Sequence, residues 1–355
     1  MQKQQDRAPS YRELRPIKGE TDTFPVYKEL VDELVGVSRG TYHPTAAHVC
    51  AVVAGWAYAE ADTAAVMAAR LGLRDNFYLE ASIVNDAMFI ASHALLVQSR
   101  CGRVVVLCYR GTEPRNFINW LTDADVNPVP MSVPIGDPPE PKARVHGGFY
   151  RNLRATWHEV VAALERASKQ KPVDESKDDT LEFPMQALYV SGHSLGAAMA
   201  ALAGVWLTQD EVYRRLFASQ LRGVYTYGQP ILGNPTFAAA CERDEFLKRS
   251  VFRHVYEHDI VPRLPPTATG EFAHFGRELR TAKINDRLAW QPSEEAVKQV
   301  RDLVLSTVVI PVLAFAGKQL EKVRTLSFPY SWYDHLPTFY IEASTPKGVR
   351  SEFER

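Results

Sequence analysis

The chain has 355 residues, of which 46% are hydrophobic and 23% charged, so it can bury the core of one large α/β domain with extensions, or of two modest domains at most. Its 41 basic and 42 acidic residues leave a formal net charge of −1, which gives no electrostatic reason to expect a nucleic-acid partner and leaves room for neutral substrates. Cys50, Cys101, Cys108 and Cys241 contain no CxxC pair and read as scattered small hydrophobes rather than a disulfide framework.

Residues 1–40 are charged and mixed, and read as a surface arm or a loosely packed lead-in. The polar start MQKQQDRAPSYRELRP has no apolar h-region, so a cytoplasmic location is the default expectation, with secretion (by a signal since removed or by an unconventional route) and peripheral membrane association as the alternatives. Between Pro44 and Leu73 an Ala-rich run with apolar residues at helical spacing predicts one or two packed helices. Strand-like runs follow at Ala87–Leu96 and Val104–Tyr109; the second, VVVLCY, is apolar throughout, as a strand covered on both faces should be. It stops at Arg110-Gly111-Thr112. The next helix, Glu113–Asp123, carries Phe117, Ile118, Trp120 and Leu121 on one face and Asn116, Asn119 and Asp123 on the other. A short amphipathic helix hinged there is suited to cover a site in water and to open at a lipid surface; the alternative is a helix packed permanently on the core.

Prolines at 128, 130, 134, 138, 139 and 141 forbid a regular helix or central strand. Beyond them come an amphipathic helix (Arg154–Ser168), a charged loop, a short apolar strand (Ala187–Ser191) and an apolar helix (Ala197–Leu207). Further strands fit Gly223–Tyr227 and Val251–Tyr256. This alternation predicts an α/β fold with a central, mostly parallel sheet flanked by helices. The expected division is a helical extension at 1–84 packed on the core, then a sheet-bearing unit at 85–355 with an apolar insertion at about 290–325.

Gly192-His193-Ser194-Leu195-Gly196 matches G-x-S-x-G between a strand and a helix. A serine on that sharp turn is forced into a strained backbone conformation that lifts its hydroxyl above the sheet, and close strand–helix packing leaves no side-chain room at Gly192 and Gly196. This nucleophile elbow belongs to the α/β-hydrolase fold, whose triad runs Ser, acid, His along the chain. Only His254, His258, His274 and His335 follow Ser194. Asp259, in the loop directly after the strand Val251–Tyr256, is the acid candidate. A base after it must be His274 or His335; His335, near the C-terminus, is preferred, and His274 reads as structural. Asp334 reads as a turn cap, since adjacent residues rarely aim side chains at each other. The Leu195 and Thr112 N–H groups are the expected oxyanion donors, and Thr112 is also placed to cap the next helix.

These residues belong to a longer ordered set: YRGTEPRNFINWLTDADV, KARVHGGFYRN, YVSGHSLGAAMAAL, YTYGQPILGN, HDIVPRLPP, FAHFGREL and YDHLPTFYI. With them the chain resembles the class 3 (fungal-type) triacylglycerol lipases over roughly Asn85 to Ala343. The resemblance implies nucleophile, acid and base at Ser194, Asp259 and His335, an oxyanion residue at Thr112 and a lid helix at about Glu113–Leu121. It implies a carboxylic ester hydrolase acting on lipid esters through an acyl-enzyme, with triacylglycerol as substrate. The alternatives are a short-chain carboxylesterase, a phospholipase A1, or a lipase-like binding protein without catalysis. No cofactor and no metal are expected: there is no phosphate-cradling glycine loop, and His43 and His48 have no third ligand nearby. His146 reads as structural support. The apolar run Leu303–Gly317 would span about 22 Å as a helix, short of the roughly 30 Å hydrocarbon core, and Pro311 would kink it, so burial, or an extra cap or membrane-facing surface flanked by Arg301, Lys318 and Lys322, is expected rather than a transmembrane helix.

Overall fold

The structure is a computed structural model that describes residues 25–85, 87, 90–112, 127–265, 272–284, 287–293 and 332–349. The expected lid helix with Phe117, Ile118, Trp120 and Leu121, and the apolar run 303–317, lie outside the described residues.

Eight strands form one sheet in the order β1-β2-β3-β6-β7-β8-β9-β10. They are β1 (Phe77–Asn85), β2 (Ile90–Gln98), β3 (Val104–Tyr109), β6 (Ala187–His193), β7 (Leu221–Tyr227), β8 (Val251–Val255), β9 (Arg277–Ile284) and β10 (Arg287–Pro292). A two-stranded ribbon pairs β4 (Pro128–Val129) with β5 (Val145–His146). The run β3-β6-β7-β8-β9 is parallel, and antiparallel pairs close both ends. The described helices are α1 (Leu30–Gly36), α2 (Pro44–Trp56), α3 (Ala61–Leu71), α4 (Gly147–Ser168), α5 (Leu195–Gln209), α6 (Glu211–Phe217), α7 (Pro235–Arg243), α8 (Glu245–Ser250) and α9 (Pro337–Ser344). A mostly parallel sheet covered on both faces is the α/β-hydrolase architecture, as expected.

Strand alternation explains the two cores. In β3, Val105, Leu107 and Tyr109 face the core shared with α4 and α5, whereas Val104, Val106 and Cys108 face the one shared with α1, α2, α3 and α9. All six are buried, so VVVLCY tolerates no polar position. The Ala-rich α2 lies flat on the sheet because small side chains let it approach. It is fastened there by buried bonds from Ser191 Oγ to the Cys50 carbonyl, and from the Tyr227 hydroxyl to the Ala47 carbonyl.

Three expectations need correcting. The single strand read at Ala87–Leu96 is half of a hairpin: β1 precedes it, as an edge strand with most side chains on the solvent side, and too little apolar character to stand out. The sheet therefore begins at Phe77, ahead of residue 85. The lead-in is not loose from Leu30 onward, because α1 buries Leu30 and Leu34 against the sheet. The predicted helix Arg154–Ser168 extends back to Gly147.

Candidate active site

The parallel strands deliver their chemistry at one end. Tyr109 of β3 pairs with Gly192 of β6, His193 pairs with Tyr227 of β7, and Tyr227 pairs with His254 of β8, so the loops after these strands emerge side by side. Open α/β sheets bind ligands at these carboxyl ends.

Ser194 sits between β6 and α5 with φ 60° and ψ −130°. A non-glycine residue holds that backbone only when its surroundings insist. Here the Ser194 N–H donates to the Tyr227 carbonyl (2.9 Å), and the Ser194 carbonyl already accepts from Ala197 in the first turn of α5. Gly196 packs on the end of β3 so closely that a Cβ would lie 2.0 Å from the Tyr109 carbonyl oxygen, and a Cβ on Gly192 would lie 2.3 Å from that of Gly196. Both flanking glycines are therefore steric requirements.

The turn Arg110-Gly111-Thr112 lies against the elbow: a Cβ on Gly111 would meet the Ser194 Cβ at 2.9 Å. The Arg110 N–H is tied to the His93 carbonyl of β2 at 3.0 Å. Thr112 follows at the rim, and Leu195 opens α5, where a helix leaves N–H groups without intrahelical partners.

Asp259 and His335, 76 residues apart, meet inside the molecule. His335 Nδ1–H donates to Asp259 Oδ2 over 2.7 Å, which leaves Nε2 as the acceptor nitrogen of the ring. The carboxylate has two further donors: the Tyr340 hydroxyl on Oδ2 (2.5 Å) and the Val261 N–H on Oδ1 (2.8 Å). The His335 ring lies 4.5 Å, centroid to centroid, from that of His193, the residue immediately before Ser194. Gly228, at φ 58°, passes so near that a Cβ would lie 2.7 Å from the His335 ring and 2.8 Å from Asp259 Oδ2. Ser194, Asp259 and His335 are each at most 2% exposed. Among the described residues the Ser194 hydroxyl has no hydrogen-bond partner; in apo sites such bonds often tighten only when substrate is present.

The remaining polar residues have structural partners. Asp334 accepts from the His258 N–H at 3.1 Å and so joins the two site loops, and burial raises its carboxyl pKa. His274 Nε2–H donates to the Pro262 carbonyl at 2.7 Å behind the acid loop, and burial lowers its pKa to about 3. His146 is buried and stacks on Phe149 at 4.1 Å. Among the described residues no group of three or more His, Cys, Asp or Glu could hold a metal ion.

Sequence reasoning missed Tyr58, Gly228 and Tyr340. Tyr340 stands five residues after His335 and could have been suspected as a donor to the acid. Tyr58 lies in the alanine run AGWAYAEA, where nothing marks it.

Residues 106–269 match the class 3 lipase family. Over 187 residues the chain is 33% identical to a lipase of Rhizomucor miehei, covering 53% of this chain and 44% of that one. Over 207 residues it is 30% identical to a triacylglycerol lipase of Ricinus communis, covering 49% and 37%. The chain thus spans less than half the length of these curated relatives. Among solved structures, the Rhizomucor miehei lipase–propeptide complex matches with a TM-score of 0.50 at 26% identity, covering 77% of this chain and 71% of that one.

Proposed function

We propose that this chain, whose residues 106–269 belong to the class 3 lipase family, hydrolyses carboxylic esters of lipids, with triacylglycerol as the leading substrate. The observation that carries the reading is the buried Asp259–His335 hydrogen bond, its imidazole 4.5 Å from the ring of His193, which precedes a strained serine whose elbow abuts the Arg110-Gly111-Thr112 turn. In the proposed cycle His335 Nε2 takes the Ser194 proton as Oγ attacks the ester carbonyl, while Asp259 stabilises the imidazolium. The N–H groups of Thr112 and Leu195 receive the oxyanion. His335 then returns the proton to the departing alcohol, and water activated by the same ring releases the fatty acid.

The near-complete burial of Ser194 and His335 supports a covered site that opens at a lipid–water interface, with the amphipathic stretch 113–123 as the cover. Among the described residues no helix is long and apolar enough to cross a membrane. The relatives lend no support to the cytoplasmic placement expected from the sequence. The division into a helical extension and a hydrolase unit belongs to the same proposal, with the boundary moved from residue 85 back to Phe77, where the sheet begins.

The test measures hydrolysis of triglyceride and of soluble short-chain esters, below and above the solubility limit of each. A rise in rate on emulsified long-chain triglyceride is expected, and Ser194→Ala should lower kcat by at least about 10,000-fold. Activity confined to soluble esters makes the chain a carboxylesterase, and a preference for phospholipid makes it a phospholipase A1. A wild-type Ser194 that resists fluorophosphonate leaves only a binding role.

A further inference from the structure

The proposed chemistry uses no atom of His193, yet both nitrogens of that buried ring are engaged. Nε2 lies 2.9 Å from the backbone oxygen of His335, and Nδ1 lies 2.8 Å from the Tyr58 hydroxyl. A carbonyl oxygen can only accept, so Nε2 carries the proton; Nδ1 must then accept, and the Tyr58 hydroxyl donates to it. Tyr58 comes from the short connection between α2 and α3, and it also borders the oxyanion turn: a Cβ on Gly111 would lie 2.2 Å from its oxygen.

We infer that Tyr58 and His193 are positioning residues: the hydrogen bonds from Tyr58 to His193 and from His193 to the His335 carbonyl form a two-link brace on the His335 loop, and the Tyr58 end of it packs against the Arg110-Gly111-Thr112 turn. The inference rests on the Ser194–Asp259–His335 reading of the site. The bond to Asp259 holds one edge of the base but not the loop that carries it. The brace holds that loop from the other side, so base and oxyanion donors keep one spacing across the nucleophile.

Direction and charge both fit the role. The Tyr58 hydroxyl keeps the His193 proton on Nε2; with the proton moved to Nδ1, a lone pair would face the His335 carbonyl. Burial, helped by the neighbouring His335, pushes the His193 pKa well below its ordinary value and keeps the ring neutral. A neutral ring tilted against the base at 4.5 Å does not oppose the imidazolium that forms there in the reaction, as a charged one would.

The experiment compares wild type with Ser194→Ala, Tyr58→Phe, His193→Leu and His193→Gln on a soluble p-nitrophenyl butyrate assay, with kcat expressed per active site titrated by fluorophosphonate. Misplacing a catalytic group by a fraction of an ångström acts on kcat more than on KM, so Tyr58→Phe should lower kcat about 10-fold and His193→Leu about 100-fold, with KM changed by less than about 2-fold. A glutamine amide can still donate from Nε2, so His193→Gln should recover kcat to within about 10-fold of wild type. Proton NMR follows the His335 Nδ1–H resonance in parallel, and Tyr58→Phe should broaden it by speeding its exchange with water. Unchanged kcat per active site in Tyr58→Phe, or an unaltered resonance, overturns the brace; Tyr58→Phe decides the matter where His193→Leu does not fold. Loss of ester turnover in wild type itself condemns the hydrolase reading, while the resonance still reports on the brace.

Discussion

At the scale of single residues, the site depends on atoms that are absent as much as on those present. Gly228 has φ 58°, and the space beside its α-carbon is filled by the His335 ring and the Asp259 carboxylate. An added methyl group would have to enter the hydrogen bond between base and acid. Gly228→Ala should therefore lower kcat/KM about 100-fold, while its cost in stability stays at about 1–2 kcal/mol, because the left-handed backbone is only moderately strained for alanine. Steady-state kinetics beside a thermal melt check this; a loss of activity that merely follows the loss of folded protein would show the contact to be incidental. Chain order and the strand-to-helix elbow singled out Ser194, Asp259 and His335 as candidates, and the fold joins the last two by a hydrogen bond. Gly228 was not: the motif YTYGQPILGN marks a turn, but only the fold shows what passes over it. His193 and Tyr58 were hidden for another reason. The variable position of a pentapeptide and a tyrosine among alanines acquire meaning only through each other.

At the scale of elements, α2 of the helical extension packs directly on α9, the helix that follows the His335 loop. Gly55 of α2 faces Ile341 of α9 so tightly that a Cβ would lie 2.6 Å from Ile341 Cδ1. The neighbouring residue on α9 is Tyr340, which holds the acid. Gly55→Ala improves helix propensity by about 1 kcal/mol but overpacks the contact by about 1–3 kcal/mol, so a net destabilisation of about 1 kcal/mol is expected. Ile341→Val removes the clashing Cδ1 and costs about 1 kcal/mol alone. Combined, the two changes should restore stability to near wild type, with a favourable coupling of about 1–2 kcal/mol in a denaturant double-mutant cycle. Strict additivity would mean that the two helices separate freely at this point. The elements themselves were unevenly legible. β3, β6 and α5 were apparent because burial on all sides makes them uniformly apolar. The edge strand β1 and the hairpin strands β9 and β10, with sequences such as RELRTAKI, are built on half-exposed faces where charge obscures the alternation.

Over the whole molecule, the near-neutral net charge conceals an uneven feature: several histidines resist protonation inside the fold, His48, His193 and His254 fully buried and His274 partly so. Burial lowers the pKa of His48 to about 4 and of His254 and His274 to about 3, and puts His193 well below the ordinary value. Composition could not foretell this, since ten histidines in 355 residues reveal nothing about how many lie beneath the sheet's end. The consequence for stability has a definite sign. A buried ring that resists protonation binds fewer protons in the folded chain than in the unfolded one, so acid favours unfolding. Each contribution is complete above the unfolded pKa near 6.5 and is lost as pH falls from there toward 3–4. Between pH 7.5 and 5.5 each such histidine should withdraw about 1 kcal/mol, before the carboxylates begin to titrate. His254 offers a clean probe, because Tyr42, Tyr225, Tyr227 and Trp290 surround it with rings that would accept a phenylalanine. The unfolding free energy of His254→Phe should vary less between pH 7.5 and 5.5 than that of wild type, by about 1 kcal/mol, whatever its absolute value. Urea titrations at the two pH values measure the difference, and a wild type equally stable at both would show that these rings take up protons without unfolding.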